Sequence, residues 1–147
     1  MSSINISQDE ADRLIELNKV REDNMIYIFP GRGENVSIPI ISEDKRDKFI
    51  LDIHRGRINL KKITNQLRGN QAIILARIDL DGQPHTNPDG TVIKSPHIHI
   101  YREGYNDKWA EPLPHQFSNP YEQWETLNEF MDFCNIIKKP NFQKGIE

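Results

Sequence analysis

Apolar positions recur with a helical period at both ends of the 147-residue chain, and with alternation or short runs between them. Ser7-Gln8-Asp9-Glu10 reads as a capping box, in which the Ser hydroxyl accepts an orphan backbone N–H and the Glu reaches back to the cap. Ala11, Leu14, Ile15 and Leu17 then supply an apolar stripe, so a helix is expected from Ser7 to near Arg21. Towards the other end, Asn119-Pro120-Tyr121-Glu122 offers an N-cap, a proline at the first helical position and a glutamate three residues after the cap. Trp124, Leu127, Met131 and Cys134 follow at helical spacing, widened by Phe130 and Phe133, and predict a helix to about Ile137.

Between these ends the period shortens. Residues 25–29 and 36–41 are β-rich, and Pro39 points to an edge strand because it cannot donate to a ladder. Phe49, Leu51 and Ile53 alternate with Ile50, Asp52 and His54, which predicts a strand with one apolar face. Residues 73–80 form a nearly continuous apolar run, expected as a central strand that turns at Asp81-Gly82. Asn87-Pro88-Asp89-Gly90 is a second turn, after which 92–93 and 96–102 return as strand. Residues 59–68 fit either a short helix or a strand. The expected architecture is α+β: a curved antiparallel sheet of five or six strands flanked by an N-terminal and a C-terminal helix, in a single domain spanning 1–147.

Composition narrows the class. Hydrophobic residues make up 36% and charged residues 28%, yet two Trp, four Tyr and six Phe argue for a packed core rather than disorder. No apolar run approaches the ~20 residues that span a bilayer, and the first residues lack the basic and apolar regions of a secretion signal. Cys134 is the single cysteine, and it lies on the apolar stripe of the last helix, where packing explains it. A cytoplasmic protein without a membrane partner is expected. No phosphate-loop motif is present, and Gly31-Arg32-Gly33 reads as a loop.

The net charge of -3 hides a pattern. Lys45 to Arg77 holds nine basic and two acidic residues, a local +7, while the remainder carries -10. Such a segment suits a phosphate backbone, or it is a solvated face balanced in space by acidic helices.

The chemistry concentrates in Pro96-His-Ile-His-Ile-Tyr101. Strand alternation places His97, His99 and Tyr101 on one face and Ile98 and Ile100 on the core side, with alternate side chains roughly 7 Å apart. Two imidazoles so placed suit acid and base roles around one phosphate. His54 occupies the polar face of its own strand and joins them if the faces coincide; Arg55, Arg57, Lys61, Lys62 and Arg102 are the accompanying phosphate ligands. In the loop that follows, Trp109 and Tyr105 either stack on a base or cover the core. His85 and His115, beside Pro84 and Pro114, read as structural loop residues. A metal is the competing use of the His-x-His pair, with His54, Asp52, His85 or Asp89 completing the set, but no cofactor is expected. The tyrosine at 101 departs from the motif of the histidine-triad nucleotide hydrolases, and His85-Thr86-Asn87 departs from that of the paired-histidine phosphoesterases.

Residues 49–60, 85–90 and 96–110 together resemble a family of small bacterial and mobile-element proteins of unknown function. That resemblance implies a bacterial or phage-related setting and supplies no activity. In size, element order and His/Arg/Tyr content the chain is also loosely similar to small metal-independent ribonuclease toxins, although many of those are basic overall. The resulting expectation is a toxin-type effector that cleaves or binds RNA, with His97, His99, Tyr101 and His54 catalytic and Arg55, Arg57, Arg102, Lys61, Lys62 and Trp109 on the RNA. A cognate protein partner is expected with it. Two alternatives stand beside it: a non-catalytic interaction protein, such as a phage-encoded inhibitor or antitoxin-like partner, and a small metal-dependent enzyme.

Overall fold

The computed structural model describes residues 5–70, 72–120 and 122–143. Its first element, α1 (Gln8–Glu16), starts where the capping box predicts: Ser7 Oγ accepts from Glu10 N–H at 3.1 Å. It ends well before Arg21. Lys19–Arg21 is instead a short strand, β1, pairing antiparallel with β3 (Asn35–Ser42) and parallel with β11 (Ile136–Lys138). The second helix, α2 (Gln123–Phe133), is capped by Glu122, whose carboxylate accepts from the N–H groups of Trp124 and Glu125, and not by Asn119. Tyr121, the middle of the expected cap, lies outside the described residues. At the far end Asn135 takes a positive φ of 57°, which stops the helix and redirects Ile136 and Ile137 into β11.

β4 (Lys48–Arg55), β5 (Ile63–Gly69) and β6 (Ile73–Leu80) continue from β3 as an antiparallel meander. β9 (His97–Ile100) and β10 (Ala110–Pro112) extend it beyond β6. The order β10-β9-β6-β5-β4-β3-β1-β11 makes eight strands, more than the five or six expected, and all its pairings are antiparallel except that of β1 with β11. β2 (Ile26–Ile28) pairs with β12 (Asn141–Gln143), and β7 (His85–Thr86) with β8 (Val92–Ile93), as separate two-stranded units.

One ambiguity is resolved and one expectation corrected, each for a simple reason. Residues 63–69 are strand because Ile63 and Leu67, four apart, share a face under either period, and Asn65 and Gly69 between and beyond them are buried as well. Pro39 is not on an edge: β3 has β4 on one side and β1 on the other. Pairing with β1 ends at Arg21↔Ile40, and just past it Pro39 accepts from Glu22 N–H.

One face of the sheet is apolar. Ile38, Ile40, Leu51, Ile53, Ile63, Leu67, Ile78 and Ile98 share a core with Ala11 and Leu14 of α1 and Leu127, Phe130 and Met131 of α2. Among the described residues no helix is long and apolar enough to cross a membrane.

Candidate functional site

The opposite face carries two polar rows set by register alone. Asn35, His54, Thr64, Asp79 and His97 are successive cross-strand partners on β3, β4, β5, β6 and β9, and Ser37, Asp52, Gln66, Arg77 and His99 form the next row. Side chains of both rows line adjoining clefts of about 260 and 360 Å³. At the end nearest β9 the rows converge on a dense cluster.

Asp79 is its centre. Its Oδ2 lies 3.4 Å from His97 Nε2 and 3.2 Å from His99 Nε2, and its Oδ1 accepts from Thr64 Oγ1 at 3.0 Å. Both imidazoles are held from behind by backbone carbonyls, His97 Nδ1 by Lys94 at 3.2 Å and His99 Nδ1 by Asp107 at 2.8 Å. A carbonyl only accepts, so each Nδ1 bears the proton, and in the neutral ring each Nε2 presents a lone pair towards Asp79. Three acceptor atoms therefore face one point. The donor atoms of Asp79, His97 and His99 lie within 4.8 Å of one another, with His97 only 2% and His99 only 1% exposed and Asp79 opening to the cleft at 23%.

Such a set of acceptors needs positive charge, and Arg77 supplies some. Its Nε donates to Asp79 Oδ2 at 3.2 Å, one terminal nitrogen to His99 Nε2 at 3.1 Å, and the other to Asp107 Oδ2 at 2.6 Å. Burial alone would raise the Asp79 pKa, but the Arg77 charge and the Thr64 hydrogen bond hold it well below the usual carboxylate range. Burial pushes the His97 pKa down against the pull of the Lys94 carbonyl and Asp79, so that ring stays neutral to lower pH than an exposed histidine.

A third imidazole completes the group. The His85 ring centroid lies 4.6 Å from that of His99 and 6.1 Å from that of His97. Its Nε2 donates to the Lys108 carbonyl at 2.7 Å, which leaves Nδ1 as its lone-pair nitrogen in the neutral ring.

The residues singled out from sequence distribute unevenly around this cluster. His97 and His99 are in it. His54 shares their face and the row of His97, but three strand spacings of about 4.8 Å separate them, and its Nδ1 pairs with Asn35 Oδ1. Tyr101 is 2% exposed, and its hydroxyl both donates to the Ile6 carbonyl and accepts from Ile6 N–H, at 2.8 and 3.0 Å. Arg55 ties two loops together through the carbonyls of Leu60 and Pro30, whereas Arg57, Lys61 and Lys62 are exposed on the β4–β5 connection. Arg102 stacks on Trp109, 4.1 Å from its ring centroid, so that face of the indole is covered by a guanidinium. Trp109 Nε1 is buried without a hydrogen-bond partner among the described residues.

Charges of both signs interleave on the polar face. Asp52 pairs with Arg68 at 2.6 Å, and Arg77 with Asp79 and Asp107. The basic surface expected from the +7 segment is therefore broken on this face by carboxylates.

Sequence reasoning missed Asp79, Arg77 and Asp107 as members, and offered His85 only as one of several residues that could complete a metal set. The available signal was Arg77-Ile78-Asp79, two charges on one face of a run otherwise apolar enough for a central strand. His85 is brought in by β7.

A family model described as a family of unknown function (DUF6978) matches residues 6–136. No curated protein and no solved structure matches the chain.

Proposed function

The chain belongs to this family of unknown function, and for it we propose a metal-dependent hydrolase in which Asp79, His97 and His99 hold a divalent transition-metal ion beside the open polar cleft. The observation that carries this reading is the convergence of three acceptor atoms, a carboxylate oxygen of Asp79 and two imidazole nitrogens whose rings are each fixed from behind by a carbonyl. Histidine ligands of metals characteristically donate their other N–H to a carbonyl or carboxylate, which fixes the tautomer and the ring plane. Three protein ligands with one side towards solvent suit a catalytic rather than a closed structural site. A metal there supplies a water activated near neutral pH and charge stabilisation for an anionic transition state. Arg77 lines the cleft next to the ligands, and Arg57, Lys61 and Lys62 stand on the neighbouring loop, which supports a phosphoester as the substrate class.

Chelator-treated protein titrated with zinc or manganese is expected to bind one ion per chain, and the loaded protein to hydrolyse a chromogenic phosphodiester. Both properties should vanish in His97→Ala/His99→Ala. Equal metal binding by wild type and the double variant would overturn the reading.

A second reading, metal-free RNA cleavage by the imidazoles, is favoured by His85, which is half-buried and in ring contact with His99. In it His85 takes the proton of the 2′-hydroxyl and Arg77 faces the phosphoryl group. RNA cleavage by rigorously chelated protein, retained at high chelator, would replace the first reading with this one.

A further inference from the structure

Arg77 stands where a bound metal would place its own charge. Two of its nitrogens contact the atoms proposed as ligands, Asp79 Oδ2 at 3.2 Å and His99 Nε2 at 3.1 Å, and the third contacts Asp107 at 2.6 Å. We propose that Arg77 is a resident cation that competes with the metal: it holds the ligand atoms together in the metal-free protein, and on loading it is handed over to Asp107. The inference rests on the metal reading above and adds to it a residue that sets the affinity and opens the site.

The physical basis is charge economy in a partly dry pocket. Asp79, ionised and mostly buried, requires a counter-charge, and the lone pair of His99 requires a donor. A guanidinium meets both requirements without a metal. A divalent ion about 2.1 Å from the same two atoms would lie within a few ångströms of that guanidinium, where like charges repel strongly. The side chain has an alternative seat already built, because its shortest contact is to Asp107, on the loop after β9. That loop is tied to the site by the Asp107 carbonyl, which orients His99. Metal arrival thus exchanges one cation for another at Asp79, while Arg77 keeps a carboxylate partner. The displaced guanidinium remains on the cleft wall, with donors turned from the ligands towards an incoming anionic group.

The test is zinc affinity, measured by competition with a chromophoric chelator on folded full-length variants. Arg77→Gln removes the charge while retaining a donor, and is expected to bind zinc at least about tenfold more tightly than wild type. Arg77→Lys keeps the charge and is expected to stay near wild type. Asp107→Asn withdraws the alternative seat and is expected to weaken zinc binding. Unchanged or weaker binding by folded Arg77→Gln overturns the competition while leaving the metal site standing. Absence of zinc binding in wild type and in every variant overturns both. If Arg77→Gln does not fold, Asp107→Asn decides: binding equal to or tighter than wild type overturns the handover.

Discussion

Lys19 donates from Nζ to the Cys134 carbonyl at 2.8 Å, across 115 residues of chain. The same ammonium reaches the carbonyls of Ile15 and Leu17 at 2.8 and 2.9 Å and lies 5.0 Å from the Phe49 ring centroid. One fully buried cation therefore satisfies carbonyls at the C-terminal ends of both helices, where the macrodipole favours positive charge. Burial pushes its pKa down to about 8, and at neutral pH it stays protonated.

Lys19→Met should therefore cost more than a surface lysine. Three carbonyls lose their donor in a dry environment, and a loss of about 3 kcal/mol in urea-induced unfolding is expected. A loss below about 1 kcal/mol would mean that water replaces the ammonium.

Asp52 governs an acid limb of stability. Burial opposes its ionisation, but Arg68, Gln66 and Ser37 bind the charged form more strongly and hold its pKa below the usual value. The folded pKa is depressed, so the stabilisation is present above the unfolded value near 3.9 and is lost as pH falls below it. Asp52→Asn should lower stability by about 1–3 kcal/mol at pH 7 and flatten the decline between pH 4 and 2. An unchanged slope in that window, followed by thermal melting, would refute the assignment.

Tyr101 distinguishes chemistry from architecture. Its hydroxyl is fully engaged by the backbone of Ile6, so Tyr101→Phe should cost about 1–2 kcal/mol and leave zinc binding and phosphodiester hydrolysis at wild-type values. A large fall in turnover with normal stability would restore it as a proton donor.

Asn65 lies on the apolar face between Ile53 and Ile78, fully buried, with no partner among the described residues for either amide atom. An unsatisfied amide in a core costs about 1–3 kcal/mol, and leucine has a similar volume. Asn65→Leu should raise the melting temperature by several degrees. A destabilised variant would point instead to a bound water at that position.

What the sequence by itself determined is local. The capping box at Ser7, the alternation of 49–54 and the shared face of His97 and His99 follow from helical and strand periods that neighbouring residues set among themselves. Its ambiguities were also local: Ile63 and Leu67 fit both periods, and the stripe running to Leu17 did not reveal that Lys19 begins a strand. Tertiary structure decided register and burial. Asp79 meets His97 and His99 only because β6 pairs with β9 in one alignment, and shifting β9 by one residue against β6 would turn both histidines towards the core. His85 and Asp107 join because loops fold back over β9, burying a histidine face that alternation alone would leave open to water. Periodicity along a strand assigns a side chain to a face; which residues meet there, and whether water reaches them, depends on chain segments distant in sequence.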